Sequence, residues 1–322
     1  MPSRKKPHQS TPIQRKRVRA SRQDTPAVDA RRMEKTLADI GRLLSAQNFN
    51  SAEEANAYLQ QLMASGDLLS AAAHEPETPL EQAQEVMYQA WEASGPQRIK
   101  LARQALTISP DCADAYVLLA QEASGSLREA ADFYAQGVQA GERALGPQVF
   151  TDDVGHFWGI LETRPYMRAR AGLAQCLLML GERDQAIEHY ADMLHLNPGD
   201  NQGLRYTLAQ WLLMVGADDR LEELLDRYDE PTASWAYTRA LSRFRREGPS
   251  PAAKAALTAA LEANHHVPAY LLGRKRLPNR MPQYVGLGDD NEAVDYVVGA
   301  AENWLNAPGA LDWLAQHSSL DE

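Results

Sequence analysis

Residues 150–166, FTDDVGHFWGILETRPY, gather side chains that could perform metal chemistry. Asp152, Asp153 and His156 lie close together in sequence, and Glu162 follows them. Carboxylates and imidazole are ligands for divalent metal ions, although this spacing belongs to no recognised metal motif. A metal ion bound there would activate water, so a metal-dependent hydrolase using residues 152–162 is one hypothesis.

The same segment has a structural interpretation, which we favour. Asp152 or Asp153 would cap a helix. Phe157 and Trp158 would fill the space opened by a non-repeating insertion. Contact with a partner through this loop is a third interpretation, because loops on rigid scaffolds often carry function.

The rest of the chain offers little support for catalysis. It contains no phosphate-binding GxxxxGK[ST] or GxGxxG string, no HExxH zinc motif and no GxSxG nucleophile motif. Cys112 and Cys176 are 64 residues apart and lack metal-ligand spacing. We therefore expect a non-enzymatic protein without cofactor or metal, and two buried, unbridged cysteines in a reducing cytoplasm.

Residues 168–201, RARAGLAQCLLMLGERDQAIEHYADMLHLNPGDN, identify the architecture. Gly181 separates two apolar-periodic segments, Ala186 and Tyr190 occupy packing positions of the second, and Pro198 ends it. This pattern is typical of a tetratricopeptide repeat, a helical hairpin of roughly 34 residues. One such hairpin cannot bury its apolar faces alone, so the pattern predicts stacked neighbours.

Similar segments predict an all-α, tetratricopeptide-like solenoid of about five helix pairs over residues 80–264. Pro110 and Pro198 are 88 residues apart, about 20 more than two repeats require. The excess predicts an insertion at 138–166, with the preceding helix extended to Leu145. Residues 265–322 would form a C-terminal helical cap that closes the array.

A concave groove is the best candidate for a binding site in such a solenoid. The first helix of each pair lines it, and amide and guanidinium groups there could hydrogen-bond a peptide. The apolar stripes of the repeats are assigned to the core. The candidate groove residues are Gln121, Arg168, Gln175, Arg205, Tyr206, Gln210 and Arg239.

Charge is divided unevenly along the chain, whose net charge is −10. Residues 1–32 contain ten Lys or Arg and two acids, whereas the remainder contains 23 basic and 41 acidic residues. Residues 1–28 are predicted to be a disordered basic arm. Residues 4–32 could bind nucleic acid through phosphate attraction, but a solubilising tail is the simpler interpretation.

Residues 29–66 are predicted to form an N-terminal helical hairpin, and residues 67–79 a linker. Met33, Leu37, Ile40 and Leu44 make the apolar stripe of its first helix. No apolar run approaches the roughly 18 residues of a membrane-spanning helix. We therefore expect no membrane span.

The C-terminal sequence resembles the suppressor-of-tumorigenicity-7 family. The strings AALEANHHVPAYLLGRKRLP and GDDNEAVDYVVGAAENWLNAPGALDWL carry the resemblance. Its residues are Asn264, His266, Val267, Pro268, Tyr270, Leu271, Leu272, Gly288, Trp304, Gly309, Ala310 and Leu311. The resemblance supports a helical-repeat fold and supplies no catalytic residues. Eukaryotic members of the family have membrane-spanning helices, and this sequence is expected to have none. Residues 80–315 therefore resemble a soluble, bacterial-style version of the fold.

Taken together, these features predict a cytoplasmic, non-enzymatic scaffold that binds an unidentified protein or peptide in its concave groove. The first alternative is a nucleic-acid- or ribosome-associated protein that uses the basic arm. The second is the metal-dependent hydrolase of the 152–162 loop.

Overall fold

A computed structural model describes residues 25–72 and 76–318, with side chains described from residue 30 onward. Within these ranges the chain is helical or irregular, and no strand occurs. The described residues fall into two compact units, which are divided between residues 74 and 75 and are described separately.

Residues 25–72 of the first unit form three helices, which are α1 (Thr25–Ser45), α2 (Ala52–Ser65) and α3 (Leu68–Ala72). Helix α2 begins because the Ser51 hydroxyl accepts a hydrogen bond from the Glu54 amide. It ends at Gly66, whose φ of 79° is the left-handed conformation that glycine adopts readily. Helix α3 packs against both α1 and α2.

Three sequence predictions change in this unit. Helix α1 begins at Thr25, so residues 25–28 of the predicted disordered arm are helical. Residues 1–24, which carry most of the predicted nucleic-acid-binding arm, lie outside the described part. Helix α3 occupies residues 68–72 of the predicted linker. Met33 and Leu37 are 66% and 44% exposed, so the predicted stripe on α1 is not a fully buried face.

The second unit begins with α4 and contains five packed helix pairs, as the sequence predicts. Its first seven helices are α4 (Pro79–Glu92), α5 (Pro96–Ile108), α6 (Ala113–Glu122), α7 (Leu127–Leu145), α8 (Val149–Asp152), α9 (Arg164–Leu180) and α10 (Arg183–Leu196). The others are α11 (Leu204–Val215), α12 (Asp218–Arg227), α13 (Ala233–Glu247), α14 (Pro251–Ala263), α15 (Val267–Leu271), α16 (Asp290–Leu305) and α17 (Ala310–His317). The pairs are α4/α5, α6/α7, α9/α10, α11/α12 and α13/α14.

Small residues let these helices approach closely. Ala174 and Ala186 are fully buried where α9 meets α10. Gly137 and Gly141, one turn apart on α7, face α9. A Cβ atom on Gly141 would lie 2.8 Å from the Tyr166 Cβ. The all-α, helical-repeat solenoid predicted for this unit is therefore confirmed, with its core running from α6 to α17 and a smaller cluster across α4–α6.

The C-terminal helix α16 packs against α11 and α13, the first helices of the last two pairs. Its buried face includes Val294, Val297 and Trp304. Helix α17 contacts both α16 and α13. The predicted C-terminal cap is thus more than an end cover, because α16 also lies along the face on which a groove was predicted.

Cys112 and Cys176 are both buried and unbridged. Among the helices that the structure describes, none combines the length and the apolar character needed to cross a lipid bilayer.

Candidate functional site

The three glutamines predicted to line the groove each interact with a side chain of the same chain that carries a hydroxyl group. Gln121 interacts with Tyr134 across the α6/α7 pair. Gln175 donates from Nε2 to the Tyr190 hydroxyl at 3.1 Å, joining α9 to α10. Gln210 donates to Thr238 Oγ1 at 2.8 Å, joining α11 to α13. These amides hold helices together, although Gln121 and Gln175 remain exposed.

Arg168 is occupied by a buried carboxylate. Its Nε atom donates to Asp114 Oδ1 at 2.8 Å, and its Nη2 atom donates to Asp114 Oδ2. The Asp114 side chain has no exposed area. Arg168 therefore connects α9 to α6, and the sequence offered no signal that Asp114 is its partner.

Arg239 is also paired with groups of the chain. It donates to Asp226 Oδ1 at 2.8 Å and to the Leu225 carbonyl oxygen at 2.9 Å. Both acceptors lie at the end of α12, so this guanidinium group joins α12 to α13.

Arg205 and Tyr206 belong to a cluster at the start of α11. Arg205 donates to Asp200 Oδ2 at 2.8 Å and to Glu230, and the Tyr206 hydroxyl also donates to Glu230. Asp200 caps α11 by accepting from the Leu204 and Arg205 amides at 2.7 and 2.9 Å. Burial and the bond to Glu230 raise the pKa of Tyr206 to about 12. This cluster holds the N-terminus of α11 in position.

The insertion is organised around a buried aromatic side chain. Helix α7 extends to Leu145, as predicted, and a short 3₁₀ helix, Leu161–Thr163, precedes α9. Phe157 is fully buried, with its ring centroid 5.3 Å from that of Phe150. The amides of Gly155 and Phe157 donate to the Leu196 carbonyl oxygen at 2.9 and 3.3 Å. The insertion is therefore attached to the end of α10.

The polar residues of the insertion are mostly exposed. Asp152, His156 and Glu162 are exposed, and Asp153 is half-buried at the end of α8. In the described ranges, no group of three or more His, Cys, Asp or Glu side chains is placed to hold a metal ion. Trp158 is half-buried, and the Cζ atom of the Arg164 guanidinium group lies over its ring, 5.4 Å from the ring centroid. That Phe157 and Trp158 fill space opened by the insertion stays a prediction.

A cleft of about 660 Å³ opens where α16 lies beside α11. The start of α13 and the segment 281–287 complete its walls. Of the predicted groove residues, Tyr206 and Gln210 line it, and the other five do not. The lining residues are Leu178, Tyr206, Thr207, Gln210, Trp211, Met214, Thr232, Ser234, Met281, Val285, Leu287, Glu292, Asp295, Tyr296, Val298, Gly299, Glu302 and Asn303.

Several large apolar side chains around the cleft are exposed to solvent. Leu287 is 70% exposed, Val298 is 54% exposed, and Met281 and Val285 are each nearly half exposed. The cleft lining also contains three carboxylates and no Lys, Arg or His side chain. Burial, together with the nearby charge of Glu292, raises the pKa of Asp295.

The residues behind the family resemblance hold α16 in position. Asn264 donates from Nδ2 to Glu292 Oε2 at 3.0 Å, and the Gly288 amide donates to the same oxygen at 2.8 Å. The Tyr270 hydroxyl donates to Asp290 Oδ2 at 2.8 Å. These contacts bind the end of α14 and helix α15 to the first turn of α16. These resemblance residues therefore position α16, which forms one wall of the cleft.

This wall is not predicted from the sequence, because the pattern of residues 265–322 indicates an end cap. A signal was present in the spacing of Asp295, Val298 and Glu302, which places them on one face of the helix at i, i+3 and i+7. The buried residues Val294, Val297 and Trp304 occupy the other side.

Comparison with known proteins identifies the family. A sequence profile described as ST7 protein matches residues 69–318. The Homo sapiens protein named "Suppressor of tumorigenicity 7 protein-like" is 31% identical over 253 residues, which cover 71% of this chain and 44% of the human protein. The Drosophila melanogaster protein named "Protein ST7 homolog" is 30% identical over 257 residues, which cover 71% of this chain and 47% of the fly protein.

The chain thus spans less than half the length of these relatives. The profile nevertheless covers most of the chain, including both the solenoid and the helices that form the cleft. These matches confirm the resemblance seen in residues 264–311. The chain belongs to the ST7 protein family.

Proposed function

We propose that this chain is a non-enzymatic, cytoplasmic scaffold whose tetratricopeptide-like solenoid binds a peptide or a short protein segment. The observation that carries the proposal is the cleft between α11, α13 and α16. Leu287, in the segment that precedes α16, and Val298, on α16, stay exposed there, whereas Val294 and Val297 of α16 are buried. Exposed apolar side chains grouped in a concavity are typical of binding surfaces.

The proposed surface continues along the first helices of the pairs. Leu178 lines the cleft, and Gln175 lies one turn before it on α9. Because residues three apart share a helix face, the exposed part of Gln175 would extend the polar surface beside the cleft. Tyr206 and Gln210 contribute from α11. Arg168, Arg205 and Arg239 are proposed to support the surface through their internal ion pairs.

Filling the cleft tests the proposal. Nothing lies within 4 Å of a Cβ atom placed on Gly299, so Gly299→Trp would occupy the cleft without a backbone clash. Ala259→Trp is the matched control, because Ala259 is exposed on α14, which contributes no lining residue. Thermal unfolding would confirm that both variants fold.

Peptides selected from a random phage-displayed library on the full chain would then be titrated against both variants. We expect binding to weaken at least about tenfold in Gly299→Trp, a loss of about 1.4 kcal/mol, and to persist in Ala259→Trp. Selection of no peptide, or unchanged binding by Gly299→Trp, would overturn the proposal.

A further inference from the structure

The charges lining the cleft are all acidic, but its three carboxylates differ in what they contact. Glu292 is 6% exposed. It accepts hydrogen bonds from the Ala233 amide at 2.9 Å, the Gly288 amide at 2.8 Å and Asn264 Nδ2 at 3.0 Å. Both oxygens of the Glu292 carboxylate are therefore engaged in hydrogen bonds that stabilise the fold.

Asp295 and Glu302 are different. Both line the cleft and reach solvent, Asp295 from a partly buried position. Within the described ranges, neither side chain forms a hydrogen bond or an ion pair. Arg280 precedes Met281 on the rim but does not contribute to the lining. Two carboxylates are thus available to a bound molecule, and no cation of the lining neutralises them.

The two carboxylates flank an apolar surface at a defined spacing. Asp295 and Glu302 are seven residues apart on α16, a rise of about 10 Å at 1.5 Å per residue. Val298 and Gly299 lie between them on the same face, at i+3 and i+4 from Asp295. Gly299 provides open space, and Val298 provides an exposed apolar side chain. Along this face of α16, the apolar side chain of Val298 thus lies between the carboxylates of Asp295 and Glu302.

We infer that the cleft selects a peptide segment that carries two basic side chains about 10 Å apart with an apolar side chain between them. The inference rests on the proposed function and specifies the partner's chemistry. The apolar side chain packs against Val298 and Leu287, and each basic group pairs with one carboxylate. A helical segment meets the requirement with basic residues at i and i+7 and an apolar residue at i+3 or i+4.

A cationic partner also suits the negative electrostatic potential around Asp295. Burial and the nearby Glu292 charge raise the pKa of Asp295, because both disfavour its ionised form. A positive group beside Asp295 would offset the repulsion from Glu292. An acidic peptide would add a third source of negative charge to the same site.

Three fluorescein-labelled pools of twelve-residue peptides provide the test. Each pool contains the same mixture of Leu, Met and Phe, combined with Lys and Arg in the first, Asp and Glu in the second, and Ser and Gln in the third. Fluorescence anisotropy with the full chain measures binding. We expect the basic pool to bind at least about tenfold more tightly than the others.

Charge reversal assigns the preference to the cleft. The double variant Asp295→Lys/Glu302→Lys should lose the preference for the basic pool. The control Glu223→Lys/Glu262→Lys changes the net charge equally at exposed positions of α12 and α14, and it should keep the preference.

Each outcome has a separate meaning. Equal binding of all three pools, abolished by Gly299→Trp, would overturn the inference and leave the proposed function standing. A basic-pool preference that survives in the cleft double variant would also overturn it. Binding by none of the pools would count against both.

Discussion

One buried carboxylate, Asp114, connects three successive pairs of the solenoid through Arg168 and Gln84. Arg168 of α9 forms two hydrogen bonds with it. Gln84 of α4 donates from Nε2 to Asp114 Oδ2 at 3.1 Å. Because α4, α6 and α9 are the first helices of their pairs, this contact fixes the relative position of consecutive repeats.

Removing Arg168 should therefore destabilise the protein. Asp114 is fully buried and the Arg168 side chain is 10% exposed, so Arg168→Ala leaves a buried charge without its main partner. We expect the free energy of unfolding in urea to fall by about 3 kcal/mol or more. The control is Arg143→Ala, whose partner is Asp111 in an exposed pair and whose loss should cost under about 1 kcal/mol.

A loss in Arg168→Ala no larger than that in Arg143→Ala would show that the Asp114 contact contributes little. The prediction also bears on binding experiments. Alanine at Arg168 is a poor probe of peptide contact, because weakened binding would report a damaged fold.

The close contact of α7 with α9 predicts opposite effects of alanine at two helical glycines. A Cβ on Gly141 would lie 2.8 Å from Tyr166 Cβ and 3.1 Å from Tyr166 Cα. Gly141→Ala should therefore lower the free energy of unfolding by about 1 to 2 kcal/mol, despite the better helix propensity of alanine. Gly299→Ala, in open space, should raise it by up to about 1 kcal/mol. Urea titration of both variants checks the signs, and a stabilised Gly141→Ala would contradict the packing.

The repeat pattern predicted most of the architecture, because small and apolar residues at fixed spacing determine how paired helices pack. Gly181 ends α9 with a φ of 89°, and the turn is visible in the sequence. The 88-residue interval between Pro110 and Pro198 likewise indicated the insertion and the extension of α7 to Leu145.

The candidate site was harder to predict, because partners distant in sequence decide whether a polar side chain is available. Arg168 pairs with Asp114, 54 residues away, and Gln210 accepts from Asn303, 93 residues away. Periodicity places a residue on a helix face but does not identify what covers that face. Helix α16 was therefore missed as a wall of the cleft.

His189 should make stability depend on pH. Arg170 donates from Nε to His189 Nδ1 at 3.0 Å, so the bond requires neutral imidazole. Burial and then the Arg170 charge lower the pKa of His189, while Asp192 acts in the opposite direction. Because the folded-state pKa lies below the unfolded value of about 6.5, the unfolded chain binds more protons between the two values. Stability is thus full above about pH 6.5 and falls as the pH drops through the folded-state pKa.

Urea unfolding at pH 7.5 and pH 5 measures this effect. His189→Gln removes the titrating group and keeps an oxygen that can accept from Arg170, so the loss of stability at pH 5 should be smaller than in the unmodified chain. His156→Gln alters an exposed histidine of the insertion and serves as the control. An equal loss in His189→Gln and the unmodified chain would rule out this role for His189.

Asp295 offers a case in which binding and stability should change in opposite directions. Its pKa is raised by burial and by Glu292, so its ionised form is less favourable in the folded chain than in the unfolded chain. This unfavourable contribution is present at neutral pH and disappears as the pH falls below the ordinary carboxyl range. Asp295→Asn should therefore unfold at the same or a slightly higher urea concentration at pH 7, with the difference shrinking toward pH 3.

The same variant should bind the basic peptide pool less tightly, because one of the two available carboxylates is gone. Glu223→Gln, an exposed substitution on α12, should change neither property. If Asp295→Asn instead lowered the free energy of unfolding by more than about 1 kcal/mol, a loss comparable to that of a hydrogen bond, Asp295 would be a structural residue. Its position in the cleft would then reflect folding, and the proposed pairing with a bound cation would lose its main support.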